Sequence, residues 1–147
     1  MGDQCSVNLT FRNKRDANKF KQITGEDWQT IVEDNEGVEA VFDDCNDAMV
    51  DALMDVAETG LEFYGNHGAG DYYPRESIVA WKGELDMIPL DIEGFETVRV
   101  IFNDATGGIE VNQDDIIRTR DHMWSIRMLK RKWAKAKPAK SAKKKGK

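Results

Sequence analysis

The period of the apolar residues changes along this chain, and that change limits its fold more than any other feature. In short pieces between Leu61 and Val111, apolar side chains recur at every second position. Leu61 and Phe63 begin one piece, and Ile78–Trp81 form the next. Leu85 and Met87 follow, then Ile88, Leu90 and Ile92, then Val98, Val100 and Phe102, with a short strand over Ile109–Val111. Period two puts alternate residues on one face of a sheet. Lys82-Gly83, Glu93-Gly94 and Asp104–Gly108 supply turn chemistry between the pieces. Connections this short join antiparallel strands, because parallel neighbours need a crossover of about a dozen residues or more. The parity changes between Met87 and Ile88 and Pro89 follows, which predicts a bulge or an edge position there.

Helical periods flank this region. Cys5, Val7, Leu9 and Phe11 first alternate as a half-buried strand. Asn13 then caps a short helix with Ala17, Phe20 and Ile23 on one face, and Gly25 suits its end. Trp28, Ile31 and Val32 read as a helical turn or a second short strand, and Val38–Phe42 as a strand. Asp44 or Asn46 caps a helix with Met49, Val50, Leu53, Val56 and Ala57 on one stripe, stopped by Gly60. Asn112 caps the last helix, whose buried stripe is expected from Ile116, Ile117, Met123, Trp124, Met128 and Leu129. This irregular order of elements predicts an α+β fold rather than a doubly wound one. The expected architecture is a small antiparallel sheet packed on one side by about three helices. Residues 1–132 form the acidic domain, and residues 133–147 a flexible, disordered basic tail.

Charge divides the chain in two. Of the 21 Lys+Arg, eleven lie from Arg127 to Lys147, where there is no acidic residue. The first 126 residues hold the other ten against all 27 Asp+Glu, a net −17. Asp47, Asp51, Asp55 and Glu58 are spaced three or four apart and form an acidic ridge on the second helix. Such a surface attracts basic partners and can imitate a phosphate backbone, or it can serve solubility alone. Arg127, Lys130, Arg131, Lys132, Lys135, Lys137, Lys140, Lys143, Lys144, Lys145 and Lys147 form the expected nucleic-acid-binding set. Each phosphate they neutralise releases counterions, giving salt-sensitive binding without sequence preference. A solubility tail, screening of the acidic body and attraction to an anionic membrane surface are the alternatives.

Catalytic signatures are weak. Gly65-Asn66-His67-Gly68-Ala69-Gly70 is the strongest loop signal, with Tyr64, Asp71, Tyr72, Tyr73 and Arg75 close by. Tyr64, His67, Gly68, Gly70, Tyr72, Tyr73 and Arg75 are the candidate ligand-binding residues, with His67 a potential acid or base and the glycines able to let amides approach an anion. The run is neither a Walker loop nor a dinucleotide fingerprint, and a wide hairpin turn explains the glycines equally well. His122 reads as a polar position beside the core stripe. Neither the two separated cysteines nor the acidic clusters have metal-ligand spacing, and no cofactor is expected.

Three functions remain at this level. The first is a non-enzymatic regulatory interaction protein whose acidic body binds a basic protein partner and whose tail binds nucleic acid. The second is a small-molecule or nucleotide-binding domain, or an enzyme, using the Gly65–Arg75 loop. The third is a structural assembly subunit. Without a basic-then-apolar leader or an apolar run of about 20 residues, membrane insertion is not expected and a cytoplasmic location is. Nothing in the sequence fixes the oligomeric state.

Overall fold

The computed structural model describes residues 3–136, and its organising element is β1 (Gln4–Phe11). Val7, Leu9 and Phe11 are fully buried along one face of that strand, as their alternation predicts. α1 (Lys14–Thr24) follows at once. Asn13 Oδ1 accepts the Asp16 N–H at 2.9 Å to cap it, and Gly25 closes it at φ 74°, where a Cβ would be strained. β2 (Thr30–Glu33) and β3 (Val38–Asn46) form the next hairpin, so the segment at Ile31 and Val32 is a strand. β3 leads through a 3₁₀ turn (Asp47–Met49) into α2 (Val50–Glu58). Asp47, Ala48 and Met49 all have φ near 50°, so the chain enters α2 through a left-handed turn rather than through a side-chain cap at Asp44 or Asn46.

β4 (Phe63–His67), β5 (Glu76–Trp81) and β6 (Glu84–Pro89) complete a six-stranded sheet of order β2-β3-β1-β4-β5-β6. Every neighbouring pair in it is antiparallel. β6 is the edge strand, which is where Pro89 is tolerated. The register shift lies elsewhere, between Cys5 and Val7 in the β1–β3 pair.

Two expectations are corrected. β7 (Val100–Asn103) and β8 (Gly108–Val111) do not extend the sheet; they form a separate two-stranded one. The helices also do not share one face. α1 and α2 cover the face carrying Phe63, Ile78 and Ala80. The last helix, α3 (Gln113–Ala136), packs on the opposite face, where Leu129 and Trp133 meet Val79, Tyr64 and Trp81. The parity change in β6 now has a reason, because Leu85 and Met87 serve the first core while Ile88 is buried from the other side. Trp133 is only 2% exposed, so α3 carries residues 133–136 as part of the folded body, past the boundary expected after Lys132. Lys137, Lys140, Lys143, Lys144, Lys145 and Lys147 lie outside the described residues.

Candidate functional site

The glycine-rich segment divides between a strand and a loop. Tyr64, Gly65 and His67 belong to β4. Gly65 is required there by close approach, since a methyl group on it would lie 1.9 Å from the Asn8 carbonyl oxygen. Tyr64 points to the α3 side, its ring 5.6 Å from that of Trp133. His67 ends the strand fully buried, with Nδ1 2.6 Å from the Gly68 carbonyl oxygen and Nε2 2.9 Å from Glu76 Oε1. Both ring nitrogens are thus occupied within the fold.

Beyond the strand, the loop closes around Asp3. Its Oδ1 accepts the Asp71 N–H at 2.7 Å and its Oδ2 the Tyr72 N–H at 2.8 Å. The Tyr73 hydroxyl donates to the Asp3 carbonyl at 2.9 Å, and burial raises its pKa above the ordinary phenol value. A methyl group at Gly70 would lie 2.3 Å from Asp3 Oδ2. The amides able to cradle an anion are therefore satisfied by the chain's own carboxylate. Tyr72 and Arg75 project into solvent, and Gly68 is half-buried. Ser6, Asn8, Asn66, Gly68 and Arg75 border an open depression of about 340 Å³ beside this loop.

A second constellation joins three segments that are distant in sequence. His122 on α3 is fully buried, with Nδ1 2.5 Å from Asp86 Oδ2 on β6 and Nε2 2.8 Å from Ser77 Oγ on β5. The connectivity is that of a Ser-His-Asp triad. Nucleophilic catalysis also needs open approach to the serine oxygen and N–H donors aimed at a developing oxyanion. Ser77 lies inside β5, between register partners Asn66 and Ile88, where strand amides serve the ladders, and α3 lies over it. The arrangement acts instead as a clasp holding α3 on the sheet, supported by Arg118 Nη2 donating to the Met87 carbonyl at 2.6 Å. The His122 hydrogen bond holds the Asp86 carboxyl below its ordinary value of 3.8, opposed by partial burial. Sequence reasoning reached His122 but not Ser77 or Asp86, because neither is marked by spacing. Asp3 was missed for the same reason.

The charged surfaces are separated in space. Asp51, Asp55 and Glu58 are exposed on α2, and Asp47 is exposed in the left-handed turn before it. The cations occupy the later part of α3 and rest on aromatic rings. Arg127 lies 5.5 Å from the Trp124 ring centre, Lys130 4.9 Å from that of Tyr64, and Lys132 5.5 Å from that of Trp81. Lys132 also pairs with Glu62 at 2.8 Å, whereas Arg131 and Lys135 are exposed.

Cys5 and Cys45 are forty residues apart in sequence yet directly opposite one another in the β1–β3 register. Both are buried free thiols. Burial, with Cys5 beside it, pushes the Cys45 thiol up to about 12, which suppresses the reactive thiolate. Among the described residues there is no group of three or more His, Cys, Asp and Glu placed to hold a metal ion. No helix among them is long and apolar enough to cross a membrane. No protein-family model, curated protein or solved structure matches the chain.

Proposed function

We propose that this is a non-enzymatic regulatory interaction protein that joins a basic protein partner to nucleic acid. The acidic body, led by Asp47, Asp51, Asp55 and Glu58, takes the protein partner, and in doing so can imitate a phosphate backbone. The end of α3 and the Lys-rich segment after it take the nucleic acid, without sequence preference. A cytoplasmic location belongs to the same reading.

The observation that carries it is the group of cations on the later part of α3, of which Arg127, Lys130 and Lys132 stand over Trp124, Tyr64 and Trp81. A cation held over a ring presents its charge at a fixed place. No acidic residue interrupts the sequence from Arg127 to Lys147. A phosphate backbone is a polyanion that such a group of cations can meet, with each neutralised phosphate releasing a counterion. The two candidate catalytic geometries are both internally satisfied, His67 by Gly68 and Glu76, and His122 by Asp86 and Ser77.

The test is affinity for a single- or double-stranded oligonucleotide as a function of salt, for the full chain and for a chain ending at Ala136. Removing Lys137, Lys140, Lys143, Lys144, Lys145 and Lys147 should flatten the plot of log affinity against log salt, by about 0.7–0.9 for each phosphate that those lysines neutralise. Charge reversal at Lys130, Arg131 and Lys135 in the shortened chain should remove the remaining dependence. An unchanged affinity and slope in both variants would overturn the nucleic-acid arm. The acidic arm is tested by capture from a nuclease-treated extract, where Asp51→Lys with Asp55→Lys should release a partner that the wild type retains.

A further inference from the structure

Every residue from Asp91 to Phe102 is exposed, although the run contains Ile92, Phe95, Val98, Val100, Ile101 and Phe102. The β7–β8 ribbon that follows packs mainly against itself. Val100 pairs with Val111 and Phe102 with Ile109, so these four side chains share one face. Their exposure runs from 42% at Val111 to 70% at Ile109. A two-stranded ribbon with an uncovered apolar face is marginal in water and gains most from a surface that covers it.

α3 carries a matching strip. Ile116, Ile117, Met123 and Trp124 supply most of the stripe that the sequence leads one to expect in the core, and all four are exposed. The sheet takes a different face of the helix, through His122, Leu129 and Trp133. One chain therefore has two uncovered apolar surfaces, the arm of residues 91–111 and the outer side of α3.

We infer that a second copy of this chain covers them, with the arm of each copy lying across the outer face of α3 of the other. Charge selects this pairing. The arm, residues 91–111, contains five acidic residues and one basic one, Arg99, which is held by Asp115 of α3 at 2.7 Å. α3 contains seven basic residues and three acidic ones: Asp114 and Asp115 in its first turn, and Asp121, which pairs with Arg120. Arm against arm or helix against helix sets like charges together, whereas arm against helix sets opposites together. A two-fold axis makes both favourable pairings at once. Arg120, Trp124, Arg127 and Arg131 lie at helical spacing on one side of α3, so an aromatic anchor stands within a cationic rim. About ten half-exposed apolar side chains present on the order of 800 Å² per copy, the size of a standard stable interface. The dimer uses Trp124, Arg127 and Arg131, which the nucleic-acid reading also uses, so the two occupants compete for that side of α3, and mass measured without nucleic acid reads the dimer alone.

Sedimentation velocity of the nucleic-acid-free full chain should give twice the 16.7 kDa chain mass. Phe102→Glu and Trp124→Glu should each weaken the dimer at least about 30-fold, the scale of a central hot spot. Both side chains are exposed in the single chain, so far-UV circular dichroism should stay unchanged. Charge exchange tests the geometry. One variant carries Glu96→Lys, Asp104→Lys and Glu110→Lys, and the other Arg120→Glu, Arg127→Glu and Arg131→Glu. Each should be monomeric alone, and an equal mixture should form a heterodimer. A wild type that stays monomeric at about 100 µM, a dimer indifferent to Phe102→Glu, or exchange variants that do not pair when mixed would overturn the inference.

Discussion

At Asp86, the imidazole of His122 stands 2.5 Å from one carboxylate oxygen and lowers the carboxyl below its ordinary value. A carboxyl depressed on folding contributes stability above its ordinary pKa, and that contribution disappears as pH falls through the folded value. The relevant window is therefore below about pH 4. The carboxylate is 47% exposed, so solvent screening keeps its share near 1 kcal/mol, at or below the range for hydrogen bonds to charged groups. Asp86→Asn should melt about 3 °C below the wild type at pH 7, and the gap should close toward pH 2. Thermal melts of both chains across that range check this. A gap of the same size at pH 2 would mean that the substitution acts through packing rather than charge. The same residue shows where reading a sequence stops. Asp86 carries no mark of its role in its own segment, because its partner lies 36 residues away and is brought to it only when α3 crosses the sheet.

Among the elements, β1, α1, α2 and the central strands were legible because each is specified locally. The alternation of Val7, Leu9 and Phe11, the Asn13 cap and the Leu53–Val56–Ala57 stripe all sit where their own neighbours put them. α3 was legible as a helix but not in its orientation, since it carries two stripes. Hydrophobicity favours Ile116, Ile117, Met123 and Trp124, whereas the sheet accepts His122, Leu129 and Trp133, because Asp86 and Ser77 satisfy the imidazole there. The candidate loop was legible only as glycines. Its closure by Asp3 depends on a residue 68 positions earlier. Trp133 decides how firmly the end of α3 is held, being buried in a small cluster with Val79 and Leu129. Trp133→Ala should cost about 3–5 kcal/mol in urea denaturation, the range for emptying an aromatic site. Trp133 Nε1 is buried without a hydrogen-bond partner, so Trp133→Phe removes an unpaired donor and should cost about half as much or less. An alanine variant within about 1 kcal/mol of wild type would show that residues 133–136 add little to the folded body.

For the molecule as a whole, a formal charge of −6 joins an acidic body to a basic end, and the two can neutralise each other or face separate partners. The choice has a thermodynamic consequence. A chain ending at Ala136 lacks six lysines and stands at −12. If those lysines lie against Asp51, Asp55 and Glu58, removing them restores repulsion within the body, and the melting temperature falls at low salt. Added salt would then erase the difference, because the Debye length shrinks from about 30 Å at 0.01 M to about 3 Å at 1 M. If the lysines serve an external polyanion, truncation leaves the body's melting temperature within about 1 °C of the full chain at every salt concentration, and affects only oligonucleotide affinity. The second outcome is expected, because Lys130 and Lys132 on the later part of α3 rest over Tyr64 and Trp81 on the face of the sheet away from α2. Melts of the two chains from 10 mM to 1 M salt distinguish the cases. A low-salt drop of several degrees on truncation that salt repairs would make the basic end an internal counterion for the acidic ridge.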